Sequence, residues 1–180
     1  MEPVEINLGR YYLRALRADD RLDDRQAVVE NFTDPDTRRW VPGYRINDLA
    51  DAGAYIARRA GEWASDVRYS WAVADPVTGE LLGEVGLKDV DLVNHTAEAT
   101  CWTHPARRGR GTASSALAAA LRFGFAAIGL QSVVYKHFAS NAASARVAEK
   151  CGFRLTEQIE QARSGEGTEE RLVVRLATRS

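Results

Sequence analysis

A ten-residue segment in the middle of the chain has residue types that suit phosphate binding. Residues 104–113 read HPARRGRGTA and lie between a predicted strand and a predicted helix that begins at Thr112. Gly109 and Gly111 allow the backbone to turn tightly and to approach a ligand closely. The first turn of the helix presents unpaired N–H groups and a partial positive charge, while Arg108 and Arg110 add cationic donors. We therefore predict a loop that binds a phosphate or a diphosphate; a tight turn with solvated arginines is the alternative.

Two common nucleotide-binding patterns do not fit this loop. The dinucleotide fingerprint needs a further glycine or alanine three residues after its second glycine, and that position holds Ser114. A P-loop needs a lysine between its last glycine and the Ser or Thr, and Gly111 is followed directly by Thr112. A nucleotide-binding module is therefore a weak interpretation of this chain.

A second group of residues follows the loop by about 30 positions. Asn141 and Ser144 lie at the start of a predicted helix, and Gly152 and Phe153 follow its end. Asn or Ser at a helix start is a common N-cap, and glycine commonly ends a helix. Taken alone, these residues indicate only a helix boundary, and their significance comes from their distance to the first loop.

The periodicity of the chain predicts the elements that position these residues. Apolar and polar residues near alternation predict strands, whereas apolar residues at helical spacing predict helices. The predicted strands are residues Ile6–Leu16, Tyr69–Ala74, Leu81–Leu87, Ala97–Thr103, Ser132–Phe138, Arg154–Gln158 and Arg171–Ala177. The predicted helices are residues Arg21–Phe32, Asp48–Ala64, Thr112–Ile128 and Ala142–Lys150.

The order of these elements predicts an α/β (α+β) fold with a mixed sheet. Three neighbouring antiparallel strands are followed by a strand–helix–strand passage, which places helices on the faces of the sheet. Turn-forming residues mark the segments Thr33–Asp36 and Asp75–Gly79. The polar connection Ser164–Glu170 is predicted to be mobile.

Composition and charge exclude several classes of protein. A length of 180 residues, 45% of them hydrophobic, predicts one globular domain over residues 1–180. The net charge of -1 gives no electrostatic reason to expect nucleic acid or an anionic membrane as partner. Cys101 and Cys151 are 50 positions apart and lack CxxC spacing, so we expect free thiols and no metal site. No signal peptide or membrane span is evident, which predicts a cytoplasmic protein.

The two motifs together resemble those of a known family. Arg108-x-x-Gly111-x-Ala113 is similar to the Gln/Arg-x-x-Gly-x-Gly/Ala signature of the GNAT superfamily of N-acetyltransferases. Asn141-x-x-Ser144 followed by Ala148-Glu149-Lys150-x-Gly152-Phe153 resembles the next block of its RimJ/RimL-like branch. The resemblance runs from about residue 6 to residue 177. It implies a mostly antiparallel mixed sheet of six to seven strands, about four flanking helices, and a splayed strand pair that holds acetyl-CoA.

The resemblance also implies acetyl-CoA as co-substrate and a set of residues that bind it. Backbone N–H groups from Gly109 to Ser114 would hold the diphosphate. The edge of the strand Cys101–Thr103 would pair with the pantetheine arm, and Asn141 would hydrogen-bond it. The implied binding residues are Cys101, Trp102, Thr103, Arg108, Gly109, Arg110, Gly111, Thr112, Ala113, Ser114 and Asn141.

The expected mechanism is direct attack of a neutral amine on the thioester in a ternary complex. A backbone N–H of the strand Cys101–Thr103 would stabilise the oxyanion. Many members of the family protonate the leaving thiolate with a tyrosine where this chain has Ala148, and the resemblance suggests Ser144 as its replacement; capping or packing is the alternative role. Glu98 is the first candidate for the general base and Glu84 the second, although Glu98 also fits a solvent-facing carboxylate.

The acceptor is the least defined part of the prediction. The first two helices usually shape the acceptor site in such folds, and Asp34, Asp36, Asp48 and Asp51 near their starts are able to attract a cationic amine or to serve as caps. A protein N-terminus or a small-molecule amine would fit. The sequence does not specify the oligomeric state and is compatible with a homodimer. The competing interpretation is a GNAT-like domain that binds CoA without turnover, as a sensor or interaction module.

Overall fold

The computed structural model describes residues 1–162 and 169–179, which form eight strands and five α-helices. The strands are β1 (Ile6–Asn7), β2 (Tyr12–Arg14), β3 (Arg68–Ala74), β4 (Leu81–Asp91), β5 (Thr96–Thr103), β6 (Ser132–Phe138), β7 (Arg154–Ala162) and β8 (Glu169–Thr178). The helices are α1 (Arg25–Thr33), α2 (Pro35–Trp40), α3 (Leu49–Ala64), α4 (Thr112–Phe123) and α5 (Ala142–Lys150).

All eight strands belong to one open sheet with the order β1-β2-β3-β4-β5-β6-β8-β7. Every neighbouring pair is antiparallel except β5 and β6, which are parallel. Parallel neighbours need a crossover connection, and α4 supplies it. The predicted mixed, mostly antiparallel sheet with helices on its faces is therefore confirmed, with eight strands and five helices in place of six to seven and about four.

The additional elements come from short segments with strong local signals. The predicted strand Ile6–Leu16 is two strands, because the chain reverses at Gly9, whose φ is +72°, and β1 pairs back on β2. The predicted turn Thr33–Asp36 contains the start of α2, where the Asp34 carboxylate accepts a hydrogen bond from the Thr37 N–H. Such a cap satisfies one of the unpaired N–H groups of a new helix, so a separate short helix forms.

Several further boundaries differ from the prediction, among them those of two helices and the ends of β4 and β7, which reach Asp91 and Ala162 instead of Leu87 and Gln158. The first helix begins at Arg25 and not at Arg21, because Asp19 Oδ1 accepts hydrogen bonds from the backbone N–H groups of Arg21 and Leu22 and holds a turn there. The predicted helix Thr112–Ile128 is α4 followed by a π-helical turn over Gly124–Ile128. Of the connection predicted over Ser164–Glu170, Glu169 and Glu170 belong to β8, and the rest lies outside the described residues.

The two faces of the sheet are covered by different helices. One hydrophobic cluster packs α4 onto the sheet through residues such as Trp71 and Leu117, and Trp63 from the last turn of α3 joins it. A second cluster joins α1 and α3 to the opposite face through Val28, Phe32 and neighbouring residues. Among the described residues, no helix is both long and apolar enough to cross a lipid bilayer.

Candidate active site at the splayed strands

The loop before α4 leaves the first turn of the helix without a side-chain cap. Gly111 is the N-cap residue, has a φ of +78° and has no side chain to accept the N–H groups of the first turn. Gly109 has a φ of +79°. L-residues with a side chain are disfavoured at such angles, so both glycines are needed for this turn. The result is a helix N-terminus with free N–H groups and a partial positive charge.

A cleft of about 550 Å³ opens at this helix terminus. Its walls come from the end of β5, the loop before α4, the start of α4, the first two turns of α5, and α2. The predicted binding residues Cys101, Trp102, Thr103, Arg108, Gly109, Gly111, Thr112, Ala113, Ser114 and Asn141 all line it. Residues that are up to 40 positions apart in sequence are therefore brought to one site.

The edge of β5 is open where it enters the cleft. β5 pairs with β6 only from Thr96 to Ala99, although its pairing with β4 continues to Thr103. The His104 N–H donates to the Leu82 carbonyl of β4, and backbone groups of a strand alternate in direction. The N–H and C=O groups of Cys101 and Thr103 therefore point away from β4, into the gap beside β6.

The start of α5 forms the opposite wall of the cleft. Asn141 is the N-cap residue, and its Oδ1 accepts a hydrogen bond from the Ser144 N–H at 3.0 Å. The Ser144 hydroxyl lies 2.7 Å from the Tyr135 hydroxyl of β6. Asn141 is therefore the capping side chain and the Ser144 N–H is the group that it caps, while the Ser144 Oγ is part of a hydroxyl pair in the cleft.

Two of the predicted side chains have other partners, and a third lies outside the cleft. Arg108 donates to Asp34 at 2.6 Å and to Thr37 at 3.0 Å, so its guanidinium ties the loop to α2. The Thr112 hydroxyl is buried and donates to the Tyr11 hydroxyl, which leaves only the backbone of Thr112 for a ligand. Arg110 is exposed and lies outside the residues that line the cleft.

Neither candidate base lines the cleft. Glu98 is 2.8 Å from Lys88 and 2.6 Å from Lys136, which hold one carboxylate oxygen each. Glu84 is 2% exposed and accepts hydrogen bonds from the Tyr55 hydroxyl and the Trp102 indole. Asp36 is the one carboxylate that lines the cleft among the described residues, and it is 76% exposed. The structure thus places neither Glu98 nor Glu84 in the lining of the cleft, although Glu84 contacts the Trp102 indole from β4.

Sequence reasoning missed several residues of the cleft. Arg146 and Lys150 are one helical turn apart on α5 and add two cations to its wall. Tyr135 contributes its hydroxyl from β6. The alternation of the segment VVYKHF places Tyr135 on the same side as Val133 and His137, all three buried, so the period-two pattern contained this signal. No local signal in the sequence indicates that α2 reaches the cleft.

Comparison with known proteins assigns the family. The sequence model of the acetyltransferase (GNAT) domain matches residues 10–154, which is most of the chain. The chain belongs to the GNAT acetyltransferase family. It is therefore an acyltransferase of the fold class that the two motifs predict, and the matched region includes both of them.

Individual relatives of this GNAT chain are distant. It is 24% identical over 145 residues to the uncharacterized N-acetyltransferase YoaA of Bacillus subtilis (strain 168), covering 81% of this chain and 82% of that protein. The RimL ribosomal L7/L12 alpha-N-protein acetyltransferase, solved with coenzyme A, superposes with a TM-score of 0.83 at 19% identity, covering 97% of this chain and 98% of that one. Spermidine N-acetyltransferase from Vibrio cholerae, solved with CoA and spermine, has a TM-score of 0.78 at 16% identity, covering 94% and 95%. At these identities the likeness shows a shared fold.

Proposed function

We propose that this GNAT chain transfers the acetyl group of acetyl-CoA to a primary amine by direct attack in a ternary complex. The observation that carries the proposal is the meeting of two features in one cleft. The uncapped N-terminus of α4 offers N–H groups to a diphosphate, and the open edge of β5 offers backbone donors and acceptors to an extended amide-containing arm. Acetyl-CoA has both of these parts in one molecule.

The donor would lie along the cleft from α4 to the β5 edge. N–H groups from Gly109 to Ser114 hold the diphosphate, the backbone of Cys101 and Thr103 pairs with the pantetheine amides, and Asn141 hydrogen-bonds the same arm. Arg146 and Lys150 add positive charge on α5. These groups bind an anionic thioester carrier through the protein alone, so the proposal includes no metal.

The reaction needs the thioester carbonyl to lie at the β5 edge. The N–H groups of Cys101 and Thr103 in the gap are suited to stabilise the negative charge that develops on the carbonyl oxygen. Holding the amine beside the thioester supplies much of the rate gain. Ser144 is the group proposed to contact the departing sulfur.

The acceptor would enter from the side of α2. Asp36, Trp40 and Val41 line that end of the cleft, and the exposed Asp36 carboxylate attracts a cationic amine. The RimL structure is that of a protein acetyltransferase and the Vibrio cholerae structure holds spermine. Both a protein N-terminus and a small-molecule amine therefore belong in the test.

Glu98→Gln is expected to change kcat/KM by less than about threefold. Both Glu98 oxygens are held by lysine ammonium groups, and a general base must reach the proton that it removes directly or through one water. We expect the proton to leave through water in the cleft instead. Steady-state kinetics from neutral pH upwards would check this. A tenfold or larger loss of kcat/KM would show that Glu98 is the base after all. Lys136→Met, which removes one of the two lysine partners of Glu98, is the matched control.

Several broader predictions belong to the same proposal. The RimJ/RimL-like branch follows from the Asn141 and Ser144 block. One acetyltransferase domain over residues 1–180 is supported by the single sheet that includes both β1 and β8. A cytoplasmic location and a homodimer stay predictions.

Thioester consumption against a panel of amines tests the proposal. The panel includes peptides with free N-termini, polyamines and aminoglycosides, and free thiol is measured with and without each amine. Acceptor-dependent thiol release supports transfer. Binding of acetyl-CoA with no release for any amine would favour the sensor, and stabilisation by ATP but not by acetyl-CoA in a thermal shift assay would refute the donor assignment.

A further inference from the structure

Three side chains from three elements form a continuous line of hydrogen-bonding groups in the cleft. The Cys101 sulfur of β5 is 3.4 Å from the Tyr135 hydroxyl of β6. The Tyr135 hydroxyl is in turn 2.7 Å from the Ser144 hydroxyl of α5. All three residues line the cleft, so the line ends at the place proposed for the thioester sulfur.

The protonation state of two of these groups allows each of them to donate a hydrogen bond along the line. Burial raises the pKa of the Cys101 thiol and raises that of the Tyr135 phenol well above its usual value, so both keep their protons at neutral pH. If the thiol donates to Tyr135 and Tyr135 donates to Ser144, the Ser144 proton is left to point into the cleft. The Ser144 N–H already donates a hydrogen bond to Asn141 Oδ1, and this contact holds Ser144 in the first turn of α5.

Two other titratable side chains, Cys151 and His137, lie near Tyr135. Burial raises the pKa of Cys151 to about 11, so this thiol is protonated at neutral pH. The centre of the His137 ring is 6.2 Å from that of the Tyr135 ring. The His137 Nδ1 is 2.9 Å from the Phe138 carbonyl oxygen, and its Nε2 accepts a hydrogen bond from Arg175. Both ring nitrogens of His137 therefore have partners outside the line. Among the described residues, the charged side chains that line the cleft with Ser144 are Asp36, Arg107, Arg108, Arg146 and Lys150.

Tyr135 of β6 and Ala148 of α5 belong to the same buried hydrophobic cluster. Within it, Tyr135 brings a phenol hydroxyl to the cleft.

We propose that Cys101, Tyr135 and Ser144 form a hydrogen-bond relay in which Ser144 donates to the departing sulfur and Tyr135 positions and polarises Ser144. The inference rests on the proposed function. As the amine nitrogen bonds to the carbonyl carbon, the carbon–sulfur bond breaks and its electron pair stays on sulfur. The Ser144 hydrogen bond stabilises that charge, and the proton lost by the amine reaches the sulfur through water. Each relay group therefore ends the cycle with the proton it had at the start.

Ionisation of bound coenzyme A tests the relay without an acceptor. CoA labelled with carbon-13 at the carbon bonded to sulfur is bound to the full chain, and its resonance is followed against pH by NMR. Hydrogen bonds to a charged form lower a pKa, so the bound thiol is expected to have a lower pKa than free CoA. Tyr135→Phe and Ser144→Ala are each expected to raise that pKa by about one unit, a tenfold change in the ionisation constant. Cys101→Ala is expected to shift it in the same direction by less.

The double variant and a matched tyrosine complete the experiment. If Tyr135 acts through Ser144, the variant with both substitutions has the same bound pKa as Ser144→Ala alone. Tyr69→Phe is the control, because this buried tyrosine also loses one hydroxyl contact, to Asp66, but lies outside the residues that line the cleft. It is expected to leave the bound pKa unchanged.

Kinetics with an acceptor from the amine panel give a second measurement. Tyr135→Phe is expected to lower kcat about tenfold, with KM for acetyl-CoA within twofold and no added loss when combined with Ser144→Ala. Equal titration of bound CoA in all variants, or independent effects that multiply in the double variant, would overturn the relay. A wild-type chain that does not bind CoA would instead overturn the proposed function. If Tyr135→Phe does not fold, Ser144→Ala and Cys101→Ala decide the question by the same titration.

Discussion

Ala113→Asp is expected to weaken binding of acetyl-CoA by about 100-fold while the fold is kept. Ala113 is in the first turn of α4 and lines the cleft, so the new carboxylate faces the position proposed for the diphosphate. Repulsion of about 3 kcal/mol between these charges corresponds to this loss of affinity. An acidic residue near a helix N-terminus stabilises the helix, so weaker binding would not be due to unfolding. Isothermal titration calorimetry measures the change, and a thermal melt checks the fold.

Ser115→Asp is the matched control for this variant. Ser115 belongs to the same end of α4, but it is exposed and lies outside the residues that line the cleft. Its carboxylate has a similar interaction with the helix N-terminus, and binding of acetyl-CoA is expected to stay within about threefold because water and salt screen the more distant charge. Equal affinities of the two variants would show that the diphosphate does not lie at the first turn of α4.

Glu84→Ala is expected to lower the free energy of unfolding by about 3–5 kcal/mol. The Glu84 carboxylate is 2% exposed and forms ion pairs with Arg59 and Arg68, each at 3.4 Å. It also accepts hydrogen bonds from Tyr55 and Trp102. Removing it leaves the two buried guanidinium groups with Glu62 as their remaining shared carboxylate partner, and breaking a buried ion pair by removing one partner has a cost of this size. Urea denaturation followed by tryptophan fluorescence measures the change.

Glu80→Ala and Glu84→Gln separate charge from packing in this network. Glu80 pairs with Arg107 at the surface, where it is 48% exposed, and such pairs contribute little to stability. Its removal is expected to leave the free energy of unfolding close to the wild-type value. Glu84→Gln keeps the acceptor for Tyr55 and removes the charge, so an intermediate loss is expected. A Glu84→Ala variant as stable as Glu80→Ala would show that this network does not stabilise the fold.

The buried network also connects stability to the site. Trp102 belongs to β5 and lines the cleft, and its indole donates to Glu84 at 3.1 Å. Glu84 lies opposite Trp102 in the register of β4 and β5. A carboxylate held between two arginines fixes this part of β5, and β5 presents the open edge to the proposed pantetheine arm. Glu84 therefore contacts the strand that forms one wall of the cleft, a contact that sequence reasoning, which considered Glu84 as a base, did not predict.

The sequence alone predicted most of the elements and the backbone conformation of the loop before α4. The strand Ser132–Phe138 and the helix Ala142–Lys150 have the predicted bounds, because their periodicity and their flanking glycine and cap residues are local signals. The turn at Gly109 and Gly111 was also predicted from a local signal, because its backbone conformation favours glycine. Arg108 is an exception within this loop, because its side chain turns to α2.

Hydrophobic periodicity, turn residues and the conformational freedom of glycine are local signals of a few residues each. They were therefore sufficient to specify the fold class and the uncapped N-terminus of α4. Tertiary structure alone decided which side chains meet. It placed Tyr135 beside Ser144 and Cys101, buried Glu84 between two arginines, and held Glu98 between two lysines. Those contacts depend on strand register and on the packing of helices across the sheet, where residues far apart in sequence approach within hydrogen-bonding distance. No local pattern specifies such a partner, so these side-chain contacts follow only from the folded structure.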